Sequence, residues 1–121
     1  MPQILSHQKD DVLFAQFTSR KILDDVLIAE IGRELLELAD QAEGKMLLDF
    51  QGVTFMSSSM IGRIVMLNKK CKGTTDLRFC NVSPSIMEVF EMTRLDKLFN
   101  ICGSVEDALT TLDRSLGDNE P

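Results

Sequence analysis

The sequence predicts an α/β fold: a single domain on a mixed, mostly parallel sheet of four to five strands, with an N-terminal hairpin at one edge and about four helices. Three observations carry this expectation. From Met46 onward, short apolar runs alternate with amphipathic stretches, the order that joins parallel strands through right-handed crossovers. Ahead of them, Ile4 and Leu5 and then Val12–Phe17 flank a polar break at residues 7–11, as in a hairpin. Finally, 121 residues at 44% hydrophobic and 26% charged can bury one core without staples.

After the hairpin, residues 18–21 read as a polar connection. Asp24 or Asp25 caps a helix whose apolar positions Leu27, Ile28, Ile31, Leu35, Leu38 and Ala42 fall on one side, and Gly44 ends it. Glu30, Glu34, Glu37 and Asp40 line the other side as a solvated face. Residues 46–50 form an apolar run of the length and branching of a buried strand. Gln51 and Gly52 break it, and after residues 53–56 comes a serine triplet, Ser57-Ser58-Ser59, at the start of the next helix. That helix carries Met60, Ile61, Ile64, Val65, Leu67 and Cys71 at three- and four-residue spacing. Lys69, Lys70 and Lys72 complement its negative end, and Gly73 closes it.

Residues 77–82 give the next strand. Ser83 then caps a short helix with Pro84 in the first position, where the missing N–H costs nothing, and Ile86, Met87, Val89 and Phe90 supply its buried side. Residues 93–97 form a tight connection and 98–102 a short strand. Ser104, with Asp107 three residues on, opens a last helix with Val105, Ala108, Leu109 and Leu112 inside. One domain is expected over 1–121, its core spanning about 12–112 and a polar tail fraying over 113–121.

Composition narrows the function. A formal net charge of -6 and the absence of Trp and Tyr argue against nucleic acid. No apolar run reaches membrane-spanning length and Met1-Pro2-Gln3 lacks the marks of a secretion signal, so a cytoplasmic protein, not membrane-embedded, is expected. Cys71, Cys80 and Cys102 are odd in number and widely spaced, and His7 is the single histidine, so reduced cysteines and no metal are expected. A serine nucleophile needs a base within reach, and neither a G-x-S-x-G elbow nor a G-x-x-x-x-G-K loop occurs. The chain therefore reads as no enzyme and as needing no cofactor. Asp49, at the end of the central strand, reads as a structural acceptor for backbone N–H groups.

The serines remain. One of them serves as a helix cap, and the same place favours anions because the helix dipole is positive there. Leu47-Leu48-Asp49-Phe50, Val53-Thr54-Phe55 and Ser57-Ser58-Ser59-Met60-Ile61-Gly62 resemble the core signature of the STAS domain, named for sulfate transporters and anti-sigma factor antagonists. Asn81-Val82-Ser83-Pro84, Thr93-Arg94-Leu95-Asp96-Lys97-Leu98-Phe99 and Ser104-Val105-Glu106-Asp107-Ala108-Leu109 follow in the family's order. The resemblance to anti-sigma factor antagonists implies a protein-interaction module that binds an anti-sigma factor kinase of the histidine-kinase-like ATPase type. In that family the kinase phosphorylates the serine after the motif's acidic residue, and a serine phosphatase reverses it. With Gly62 fixing the alignment, the acceptor falls on Ser58, with Ser57 and Ser59 as secondary candidates. Ser57, Ser59, Met60, Arg63 and Met66 would border the docking surface. Ser57 stands where the family has its acid and Met60 where glycine is usual. A second reading from the same resemblance is a constitutive accessory subunit of an ABC-type lipid or other membrane transport complex. A third, a small-ligand sensor, has no specific pocket residues behind it.

Overall fold

Residues 2–118 are described in the computed structural model of the chain, residue 111 and residues 113–118 by their backbone alone. In chain order the elements are β1 (Ile4–Lys9), β2 (Val12–Phe17), β3 (Lys21–Ile22), α1 (Asp25–Gln41), β4 (Lys45–Asp49), β5 (Phe55–Met56), α2 (Ser58–Cys71), β6 (Asp76–Cys80), α3 (Pro84–Met92), a 3-10 turn at Leu95–Lys97, β7 (Ile101–Cys102) and α4 (Val105–Asp118). The main sheet has the order β1-β2-β4-β6-β7. The hairpin β1–β2 is antiparallel and every other pairing is parallel, so the predicted α/β class and hairpin edge hold.

Alternation along the strands decides the layering. Leu13, Ala15 and Phe17 of β2, Met46 and Leu48 of β4, and Leu77 and Phe79 of β6 join the larger core cluster with the buried sides of α1, α2 and α3. Val12, Leu47 and Cys80 turn the other way and meet Ala108 and Leu112 of α4 in a smaller cluster. Because β4 is covered on both faces, its residues 46–48 read as an unbroken apolar run and are each fully buried. Phe50 lies just past the strand end amid Phe17, Phe79 and Phe90, with centroids 5.1, 5.2 and 6.3 Å away. Each such aromatic pair adds about 0.5–1.5 kcal/mol to area burial.

α1 and α2 run side by side in the same direction. The Arg63 side chain lies over Gly32, within 2.9 Å of where a Cβ would sit, and Lys70 Nζ reaches Asp40 at 2.8 Å near the other end. Both helices therefore begin at the same end of the sheet, where β4 and β6 finish. Among the described residues no helix is long and apolar enough to cross a membrane.

Three expectations need correction. β1 runs on to Lys9, although only Ile4 of it is buried; the ladder to β2 holds it. Residues 18–21 end in β3, a two-residue strand paired in parallel with β5. The strand predicted at 98–102 shrinks to Ile101–Cys102, because the amides of Leu98 and Phe99 both bond back to the Leu95 carbonyl at 3.0 and 2.9 Å and keep the chain turning. The backbone of α4 runs from Val105 to Asp118, and residues 119–121 of the expected tail lie outside the described residues.

Candidate functional site

Residues 49–62 carry the chain from the end of the central strand to the start of α2. Asp49 Oδ1 accepts from the backbone N–H of Gln51 at 2.9 Å and from the side-chain amide of Asn81 at 3.0 Å. It thus ties the loop after β4 to the exit of β6, where Asn81 turns the chain at φ 57°, a region asparagine tolerates better than most residues. Gly52, at φ 88°, makes the bend that returns the Val53 N–H to the Phe50 carbonyl at 3.0 Å.

β5 then pairs with β3, Lys21 opposite Phe55 and Ile22 opposite Met56. The next amide, of Ser57, donates to the Ile22 carbonyl at 3.0 Å. This bond holds Ser57 in extended geometry, φ -72° and ψ 163°, immediately before α2. Its hydroxyl is consequently placed to accept from the Met60 N–H at 3.3 Å, which makes Ser57 the cap. Ser58 and Ser59 are the first two residues of the helix and both are exposed. No described residue takes up either hydroxyl.

The chain matches the STAS domain model over residues 4–108. It belongs to the STAS domain family. Among solved structures it is similar to an anti-sigma-factor antagonist STAS domain protein from Planctomyces limnophilus, at 26% identity and TM-score 0.80, over 92% of this chain and 98% of that one. An anti-sigma factor antagonist from Mycobacterium paratuberculosis aligns at 19% identity and TM-score 0.79, over 89% and 91%. The Bacillus cell fate determinant SpoIIAA in its phosphorylated form aligns at 16% identity and TM-score 0.66, over 90% and 98%. The last two share the fold.

Within this STAS domain, Ser58, Gly62 and Met66 follow one another at four-residue steps along an exposed row of α2. A Cβ at Gly62 would meet nothing within 4 Å, so glycine there is not required by packing and leaves the ground beside Ser58 low. Met66 is 50% exposed at the far end of the row. Met60 does not belong to this surface: it is fully buried in the larger core cluster, because it sits on the apolar stripe of α2, and its assignment to the docking rim is withdrawn. Arg63 is only half-buried, but its stem leans on Gly32 of α1, so it borders the surface from the side.

Three apolar residues near the serines went unremarked as surface groups in the sequence. Leu23, Val26 and Phe55 are 52%, 67% and 50% exposed. Phe55 is next but one to the cap, Leu23 follows the residue that binds the Ser57 amide, and Val26 lies in the first turn of α1. Phe55 also borders a small apolar cleft of about 100 Å³ with Met56, Ile61, Ile86 and Val89. Val26 falls outside the α1 stripe, which is a usable sequence signal for exposure. Phe55 carries no such signal.

Proposed function

We propose that this STAS domain is a regulatory binding module of the anti-sigma factor antagonist kind, switched by phosphorylation of Ser58. Its partner is an anti-sigma factor that is also a serine kinase of the histidine-kinase-like ATPase type, and a serine phosphatase resets the switch. The observation that carries this reading is the division of labour at the helix start: Ser57 caps α2, which leaves the neighbouring Ser58 hydroxyl outward and uncommitted. Exposed apolar groups at Leu23, Val26, Phe55 and Met66 give a partner something to cover.

In the transfer, the Ser58 oxygen forms a bond to the γ-phosphorus of ATP while the bond to the leaving ADP oxygen breaks. The serine proton must pass to a base on the partner, because no described residue of this chain contacts that hydroxyl. Phosphate at this position adds close to two negative charges at the positive end of α2, which the fold accommodates. A partner seated there would have to desolvate that charge, so its affinity falls.

The test is incubation with the cognate kinase and ATP, followed by mass measurement and a binding assay. One phosphate is expected on Ser58, absent in Ser58→Ala, and Ser58→Asp should weaken partner binding by about tenfold or more, about 1.4 kcal/mol. Phosphate on another residue, or binding indifferent to Ser58→Asp, would overturn the switch and favour the constitutive accessory role.

A further inference from the structure

Cys71 ends α2, whereas Cys80 and Cys102 occupy directly opposed positions of the parallel strands β6 and β7. Opposed residues of neighbouring strands share a face, and both cysteines belong with the cluster beneath α4. Neighbouring strands lie roughly 4.8 Å apart, inside the span of about 4.4–6.8 Å over which two Cα atoms accept a disulfide. Both are thiols in this structure. Cys102 is half-buried and opens onto a cleft of about 600 Å³ lined also by Arg78, Asp96, Asn100 and Asp107. The Arg78 guanidinium, gripped by Asp76 at 2.7 and 3.0 Å, lines the same cleft. β7 is only two residues long and lies at the edge of the sheet, so it can give by the small amount that bond closure asks.

We propose that Cys80 and Cys102 form a reversible thiol–disulfide site, closed by a peroxide that enters through the cleft beside β7. In the first step the Cys102 sulfur attacks a peroxide oxygen. An S–O bond forms, the O–O bond breaks, and the departing hydroxide takes up the thiol proton as water. In the second, the Cys80 sulfur attacks the Cys102 sulfur, the S–S bond forms and the S–O bond breaks, and hydroxide leaves with the Cys80 proton as a second water. The order follows from position. Cys102 reaches solvent, while burial, and after it the Asp49 carboxylate and Cys102, push the Cys80 thiol up to about 12. Cys80 is therefore the resolving group.

The full chain, folded, is treated with hydrogen peroxide and weighed intact, then alkylated without reductant and peptide-mapped. A loss of about 2 Da, the two thiol hydrogens, is expected, reversed by dithiothreitol and mapped to a Cys80–Cys102 link. Cys71→Ala should keep that loss and Cys102→Ser should abolish it, with circular dichroism verifying that each is folded. Oxygen added at Cys102 without a link, a bridge to Cys71, a bridge between two molecules, or the same loss in Cys102→Ser would overturn the site. If Cys102→Ser does not fold, the wild-type peptide map alone decides.

Discussion

The two faces of the sheet are built differently. Against α1, α2 and α3 the inner strands β2, β4 and β6 present only apolar side chains, from Leu13 and Phe17 across Met46 and Leu48 to Leu77 and Phe79. Toward α4 the same strands mix Val12, Leu47 and Cys80 with Arg78, and β4 begins on that side with Lys45, two residues before Leu47. One face holds the fold together and sets three helix starts at one end, each capped through a side chain, at Asp24, Ser57 and Ser83. The other carries Lys45, Arg78 and the opposed thiols.

The sharpest way to break that contrast is to cut a large side chain from each face. Phe50→Ala should cost about 3–5 kcal/mol, because the aromatic cluster around it cannot close over the space. Leu47→Ala, equally buried but in the smaller cluster, should fall near the low end of the leucine range, at about 2–3 kcal/mol. Urea unfolding midpoints at unchanged slope measure both. Equal losses would mean that the α4 face is packed as firmly as the other.

A smaller effect separates two adjacent serines. Ser57→Ala removes the hydroxyl that accepts the Met60 N–H and should cost about 1 kcal/mol. Ser58→Ala and Ser59→Ala touch no such bond and should stay within about 0.5 kcal/mol. Should Ser58→Ala cost as much as Ser57→Ala, the Ser58 hydroxyl is occupied in holding the helix and is not free for transfer.

These serines also mark where the sequence could be read and where it could not. Strand β4 was legible because burial on two faces leaves a run with no polar interruption, and Ser83-Pro84 because cap and first position are both local signals. Which of three consecutive serines caps α2 was not legible. It is settled by the amide of Ser57 bonding to Ile22, a residue far back in the chain on a two-residue strand that has no periodicity to detect. Leu98 and Phe99 look like a strand by composition, yet their amides are spent on a turn. Met60 is the instructive case: the helical stripe placed it inside and the family alignment placed it beside the docking serine. Packing followed the stripe, since a residue at that phase of α2 faces the core whatever its relatives carry.

The smallest expected effect lies at the open end of the α4 face. Lys45 is buried, and its ammonium reaches the exposed Asp11 carboxylate at 2.8 Å. That hydrogen bond from Lys45 holds the Asp11 carboxyl below its ordinary value. A carboxyl depressed on folding stabilises above its unfolded pKa, about 3.9, and that contribution fades as pH falls through the lower folded value. Asp11→Asn should therefore destabilise near neutral pH, and the gap between variant and parent should narrow as the pH drops below about 4. Thermal unfolding from pH 7 down to pH 3 measures it. Because Asp11 stands in solvent, which screens the pair, the gap should also shrink with added salt. A gap that stays constant with pH would mean that Asp11 acts through the β1–β2 turn and not through its charge, leaving the α4 face with one fewer electrostatic tie than its geometry suggests.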